Sequence, residues 1–139
     1  MSNVPDNMVL VLACSKKKVE DPSCKAGDLY LGSIYTKGKD IADRLGLPIW
    51  ILSAKYGFLH PDTVVDNYDQ KFKKAFTGPF PPAPWHGFYL GGQLYFKNMP
   101  KVFKPLVPPN QMGYMLRDLT ALQNDLDVVR KMIDEHPGG

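Results

Sequence analysis

In PIWILSAKYG (Pro48–Gly57) five residues run without a polar break and then give way at once to Ser53, Lys55 and Tyr56. A run that is apolar on both alternations reads as a strand covered on both faces, the environment a parallel sheet flanked by helices provides. Upstream, MVLVLA (Met8–Ala13) has the same character and ends in CSKKK. Between the two, DLYLGSIYTKGKDIADRLG (Asp28–Gly46) brings Ile34, Ile41 and Leu45 to one face of a helix, with Gly46 as its terminator. Strand, helix and strand together predict a right-handed βαβ unit.

Further downstream, NYDQKFKKAF suggests a short helix that TGPFPPAPWHG cannot continue, because proline lacks a donor and clashes with the preceding turn. Residues 77–86 are therefore expected as a proline-rich loop or arm. FYLGGQLYFKNMPKVF predicts a third strand running into Gly91 and Gly92, then a helix broken near Pro100 and again at Pro105. Met115, Leu119, Leu122, Leu126, Val129 and Ile133 recur at three- and four-residue spacing, which predicts a long C-terminal amphipathic helix. Its apolar stripe can pack on the sheet or on a second copy of itself, giving a homodimer. The fold expected is α/β: a small, mostly parallel sheet flanked by helices, in one domain spanning residues 1–139.

Composition restricts the function classes. The chain has 139 residues, 44% hydrophobic and 22% charged, which suits a globular domain large enough to bury a core. A formal charge of +3 permits a nucleic-acid partner without requiring one. No apolar run has the length of a bilayer crossing, and the basic residues near the start follow the short apolar segment where a signal peptide would have them precede it. A cytoplasmic protein without membrane attachment is expected. Cys14 and Cys24 lack the companion spacings of a zinc site, so neither metal nor disulfide is expected. No cofactor is implied, since Gly91 and Gly92 lack the remaining glycines of a dinucleotide fingerprint.

Three strands thus end in polar or glycine-rich sequence: CSKKK, SAKYG and LGG. In a parallel α/β sheet the carboxyl ends of strands share one edge, and ligands bind in the crevice outside it. Ser15, Lys16 and Lys17 suit phosphate binding, as ammonium groups beside loop amides, although KKK also fits a solvated turn. Cys14, with lysines beside it, has the setting of a thiolate nucleophile, but no base partner can be assigned to it and small buried cysteines at strand ends are common. Lys55, just past an apolar strand, is placed for partial desolvation and so for service as a base, a nucleophile or a phosphate clamp. Ser53 stands at the same strand end. Tyr56 can stack on a base or cap the core, and Gly57 reads as conformational. Tyr68 and Asp69 can close the pocket, Asp69 as general base or sugar-hydroxyl acceptor, or simply as a helix cap. Tyr30 and Ser33 precede a helix start, where backbone donors favour an anion, and Asp28 can cap it. His60 and His86 have no assignable partners, and His136 lies in the tail. The FYL, YF and GYML aromatics read as core. Arg117 suits either a phosphate or a neighbouring carboxylate.

LVLACSKKK, DLYLGSIYTKGKDIA, WILSAKYGFLHPDTVVDNYD, FYLGGQLYFKNMPKVFKPL and GYMLRDL resemble the ordered motifs of a small bacterial and phage domain family of unknown function. Its more distant relatives include the peroxide-stress protein YaaA. That resemblance implies an α/β domain that handles nucleotides or nucleic acid, YaaA-like proteins being regarded as DNA binders. ACSKKK is also similar to a Cys-Ser-Lys motif of archaeosine synthases, which implies base modification. Two function classes follow. One is a nucleotide- or nucleic-acid-base-processing enzyme, cleaving or exchanging a glycosidic bond, with Lys55, Asp69 and Cys14 as its catalytic candidates. The other is a noncatalytic DNA- or RNA-binding module.

Overall fold

The computed structural model describes residues 4–13, 23–29, 32–53, 57–66, 84–97 and 99–137. Its strands are β1 (Met8–Ala13), β2 (Ser23–Lys25), β3 (Ile49–Ser53), β4 (Gly57–Leu59), β5 (Val64–Asp66), β6 (His86–Leu90) and β7 (Phe103–Pro105). Its helices are α1 (Ala26–Leu29), α2 (Ser33–Leu45), α3 (Gln93–Phe96), α4 (Met115–Asn124) and α5 (Leu126–Glu135), with a 3-10 turn at Met112–Tyr114. Five strands form one sheet in the order β4-β3-β1-β6-β7, parallel except for β4. Strands β2 and β5 make a separate antiparallel pair. The chain is an α/β protein.

The central strand explains the two layers. Met8, Leu10 and Leu12 of β1 join Tyr35 and Ile41 of α2, Met115 and Leu119 of α4, and Val129 and Ile133 of α5 in one apolar cluster. Val9 and Val11 point the other way, into a second cluster with Tyr89, Tyr95 and Phe103. Both alternations of MVLVLA are therefore buried, as its unbroken apolar run predicts. At about 2 kcal/mol for each fully buried large aliphatic side chain, such a strand is a main source of stability. Helix α2 lies close to the sheet because Gly38 has no side chain. A Cβ there would meet Leu90 Cδ2 and come within 2.8 Å of Leu12 Cδ2. The helix ends at Gly46, φ 69°, whose N–H donates to the carbonyls of Ala42 and Asp43.

Two expectations need correction. The segment after Gly92 is helical for only four residues, and Phe103–Pro105 continues as a parallel edge strand, where a longer broken helix was predicted. Pro100 and Pro105 deny a helix its donors, and Phe103 reaches the second cluster from an extended backbone. The C-terminal stripe is carried by two helices, because Asp125 adopts φ −143° and ψ 78° between them. The Asp125 N–H closes α4 on the Ala121 carbonyl, and its own carbonyl accepts from Val128 to begin α5. Asn124 and Asp125 are residues that favour helix ends over interiors. The stripe packs on the chain's own core.

The amino edge of the sheet holds a buried histidine pair. His136, just past α5, donates from Nε2 to the carbonyls of Gly87 (2.8 Å) and Val102 (3.0 Å). Its ring stacks on His86 with centroids 5.3 Å apart and meets Phe88 edge-on. His86 Nε2 bonds the Asp6 carbonyl, while its Nδ1 is buried without a hydrogen-bond partner. Burial pushes the His136 pKa down. The two backbone hydrogen bonds oppose that shift, and His86 and Lys104 reinforce it. Because the folded protein disfavours the proton relative to the unfolded chain, this contribution is complete above the ordinary histidine value of about 6.5 and is lost as pH falls below it. Unfolding free energy, measured by urea titration at stepped pH, is expected to decline from pH 7 toward 5. His136→Gln, which retains a donor but does not titrate, should reduce the slope; an unchanged slope would remove His136 as its source.

Candidate functional site

The strand order reverses at β1. From it the chain passes through α2 to β3 and then β4 on one side, and β6 and then β7 are added on the other. Neighbouring connections thus diverge above β1 and β6, the position at which open α/β sheets bind ligands outside their carboxyl ends. The register sets the level of each rim segment. Leu12 pairs with Leu90, which puts Gly91 level with Ala13; Ala13 pairs with Leu52, so Ser53 lies one residue beyond. β1, β3 and β6, the strands that CSKKK, SAKYG and Gly91-Gly92 follow or end in sequence, therefore stop on the same edge and within one residue of the same height.

Local sequence shapes this rim. At Gly91 a Cβ would press on the Tyr89 hydroxyl and lie 2.6 Å from the Ala13 Cβ, so β6 can turn this near β1 only without a side chain. The buried Tyr89 donates its hydroxyl to the Gly92 carbonyl at 3.0 Å and fixes the turn into α3. Ser53 is fully buried and pairs with Gly57 across the β3–β4 hairpin, so the segment carrying Lys55 begins and ends at this edge. Ser33 opens α2 with an exposed side chain, and neither a capping side chain nor an acidic residue occupies that helix start. Ser33, Ser53, Gly91 and Gly92 are the predicted site residues that the structure describes. Cys14, Ser15, Lys16, Lys17, Tyr30, Lys55, Tyr56, Tyr68 and Asp69 lie outside the described residues.

The flank of α2 is structural. Tyr35 donates its hydroxyl to the Gly27 carbonyl at 2.8 Å. Burial, with Asp28 and Asp43 nearby, pushes its pKa far up, so this phenol remains protonated. Lys39 bonds the same carbonyl and pairs with Asp28, which answers the expectation that Asp28 caps a helix: its carboxylate faces an ammonium. A cleft of about 350 Å³ lies here, lined by Tyr35, Lys39, Asp28, Asp40 and Asp43. Three carboxylates against one ammonium repel a phosphate, so this cleft does not compete with the rim as an anion site. Among the described residues no group of His, Cys, Asp and Glu has the arrangement of a metal centre.

Sequence reasoning underrated one stretch. Of GYML, expected as core and helix contacts, Met115 is buried while Tyr114 and Leu116 are 54% and 44% exposed, and Met112 just before it is 52% exposed. Met112 reaches the rim, its Sδ lying 3.6 Å from where a Gly92 Cβ would be. The Arg117 guanidinium lies over the Tyr114 ring, 4.4 Å from its centroid, and pairs with Asp118 itself. The signal in the sequence is PPNQMG, residues 108–113, whose prolines and glycine delay the α-helix until Met115 and leave Met112–Tyr114 in a 3-10 turn.

Residues 9–77 match the model of a family of unknown function, DUF6884. No curated protein and no solved structure matches the chain. The matched span includes β1 from Val9 onward, α2 and β3, and with them the carboxyl ends of two of the three strands.

Proposed function

We propose that this protein is a nucleotide- or nucleic-acid-base-processing enzyme of bacterial or phage cytoplasm, distantly related to YaaA, whose ligand occupies the carboxyl-edge crevice above β1 and β6. The observation that supports the reading is that β1, β3 and β6 end at Ala13, Ser53 and Leu90 on one edge, within one residue of the same level. Phosphate is assigned to Ser15, Lys16 and Lys17, with the uncapped start of α2 adding backbone donors. Base and sugar are assigned to Lys55, Tyr56 and Asp69.

Glycosidic-bond cleavage fits these residue types. In the hydrolytic form Asp69 takes a proton from water, whose oxygen bonds to the sugar C1′. The C1′–N bond breaks with its electron pair moving to the base, and Lys55 supplies the proton that the departing base needs. Exchange differs only in a second base replacing water.

Thermal melting against a panel of nucleotides, modified nucleosides and short DNA or RNA tests the site, and chromatography of the same mixtures detects released base. A mononucleotide at one hundred times its Kd would stabilise the protein by roughly 2.7 kcal/mol. Response to polymers alone, with no released base, would favour the noncatalytic module. In that case Lys16→Ala with Lys17→Ala should lower the slope of log affinity against log salt by roughly 1.4 on single strands. No response to any member of the panel would end the nucleotide reading.

A further inference from the structure

We propose that Met112, Tyr114 and Arg117 form a stacking shelf for an unpaired nucleobase, so that the ligand of the rim is one stretch of a single-stranded nucleic acid. This inference rests on the crevice reading above and extends it to the class of ligand. Position comes first. The shelf adjoins the crevice through Met112, whose sulfur meets the edge at Gly92. A strand with one nucleotide in the crevice would therefore pass its neighbour over these side chains.

Geometry points to a flat, weakly basic partner. Arg117 Nε and Nη2 both bond Asp118 Oδ1, at 3.4 and 3.3 Å, while the guanidinium covers Tyr114. Asp118 thereby holds one edge of the guanidinium and sets its plane. The Arg117 side chain is nevertheless 71% exposed, which leaves its outer face to stack on a base and its Nη1 edge to meet a phosphate. Asp118 offsets much of the charge, so the shelf acts by planar contact more than by net attraction. Three side chains are also far less than the roughly 800 Å² per partner that a stable protein interface buries. An unpaired base is of the size and shape that fits.

The test uses the whole chain, a short fluorescein-labelled oligothymidylate, the corresponding oligouridylate, and a free mononucleotide. Tyr114→Ala, which removes the ring that supports the guanidinium, and Arg117→Ala, which removes the face on which the base stacks, should each weaken binding of the oligonucleotide about tenfold, the size of one stacking contact. Both should leave mononucleotide stabilisation unchanged. Arg117→Lys, which retains charge without the plane, should weaken the oligonucleotide nearly as much as Arg117→Ala. Melting temperatures should match the parent, since both side chains are exposed. The uridylate arm establishes whether the strand is DNA or RNA. Equal oligonucleotide affinity in Tyr114→Ala, or full recovery in Arg117→Lys, overturns the shelf while leaving the crevice reading intact. Failure of the parent protein to bind either oligonucleotide or mononucleotide overturns both.

Discussion

Gly87→Ala is expected to destabilise the protein by at least about 4 kcal/mol, lowering its melting temperature by roughly 12 °C. Gly87 sits in β6 beside the central strand with φ 144°, a backbone region essentially reserved for glycine. A Cβ there would drive into the Val9 carbonyl oxygen and lie 2.8 Å from the Val9 nitrogen. Neither atom can retreat, because both belong to the backbone of a strand paired on both sides. The damage would spread to the amino edge, where the Gly87 N–H donates to Val102 and its carbonyl accepts from His136. Gly113→Ala is the matched control. Nothing lies within 4 Å of a Cβ at that position, so the same change should alter stability by less than about 0.5 kcal/mol. Circular dichroism melts of the two variants decide the point; similar melting temperatures would mean that the β1–β6 contact is not as close as described.

Under the proposed activity, Lys55→Ala and Asp69→Asn each reduce turnover by roughly a hundredfold or more, with affinity nearly unchanged. Both groups move protons as the glycosidic bond breaks, so they act on the barrier more than on ground-state binding. Asn in place of Asp69 retains size and hydrogen bonding but cannot take a proton from water. Lys55 follows Ser53, whose complete burial marks the last covered position of its strand. A loss confined to KM would assign these residues to binding alone, and unchanged turnover in both would remove the mechanism. Cys14→Ser separates the remaining candidate, because thiolate chemistry would be lost while packing is preserved.

The βαβ unit was legible because its signals are local: MVLVLA and PIWILS are apolar on both alternations, and α2 has a clear stripe and a glycine stop. The reversal of strand order at β1 was not, since the hydrogen bonds of β1 to β6 join residues some eighty positions apart. Edge strand β7 was hidden for another reason: three residues ending in proline give no periodicity to read. At Asp125 local chemistry overrides a continuous heptad-like stripe that by itself predicts one helix. At the rim, the expected chemistry rests on side chains outside the described residues, whereas Met112 and Tyr114 stand out by their exposure, which no periodicity encodes. The His86–His136 stack joins distant parts of the chain and left no trace in spacing.

The margins of the five-stranded sheet bear on association. MVLVLA, with its β-branched residues and lack of charge, has the composition of an amyloid-forming segment, yet it sits at the centre with a neighbour on each side. The outer strands β4 and β7 are three residues each, and Pro105 has no amide hydrogen to offer. An extended peptide aligning there would gain too few backbone bonds to repay its lost freedom. Concentrated solutions should therefore resist fibril growth for as long as the native state persists, and any seeding would have to begin with unfolding that uncovers the middle strand.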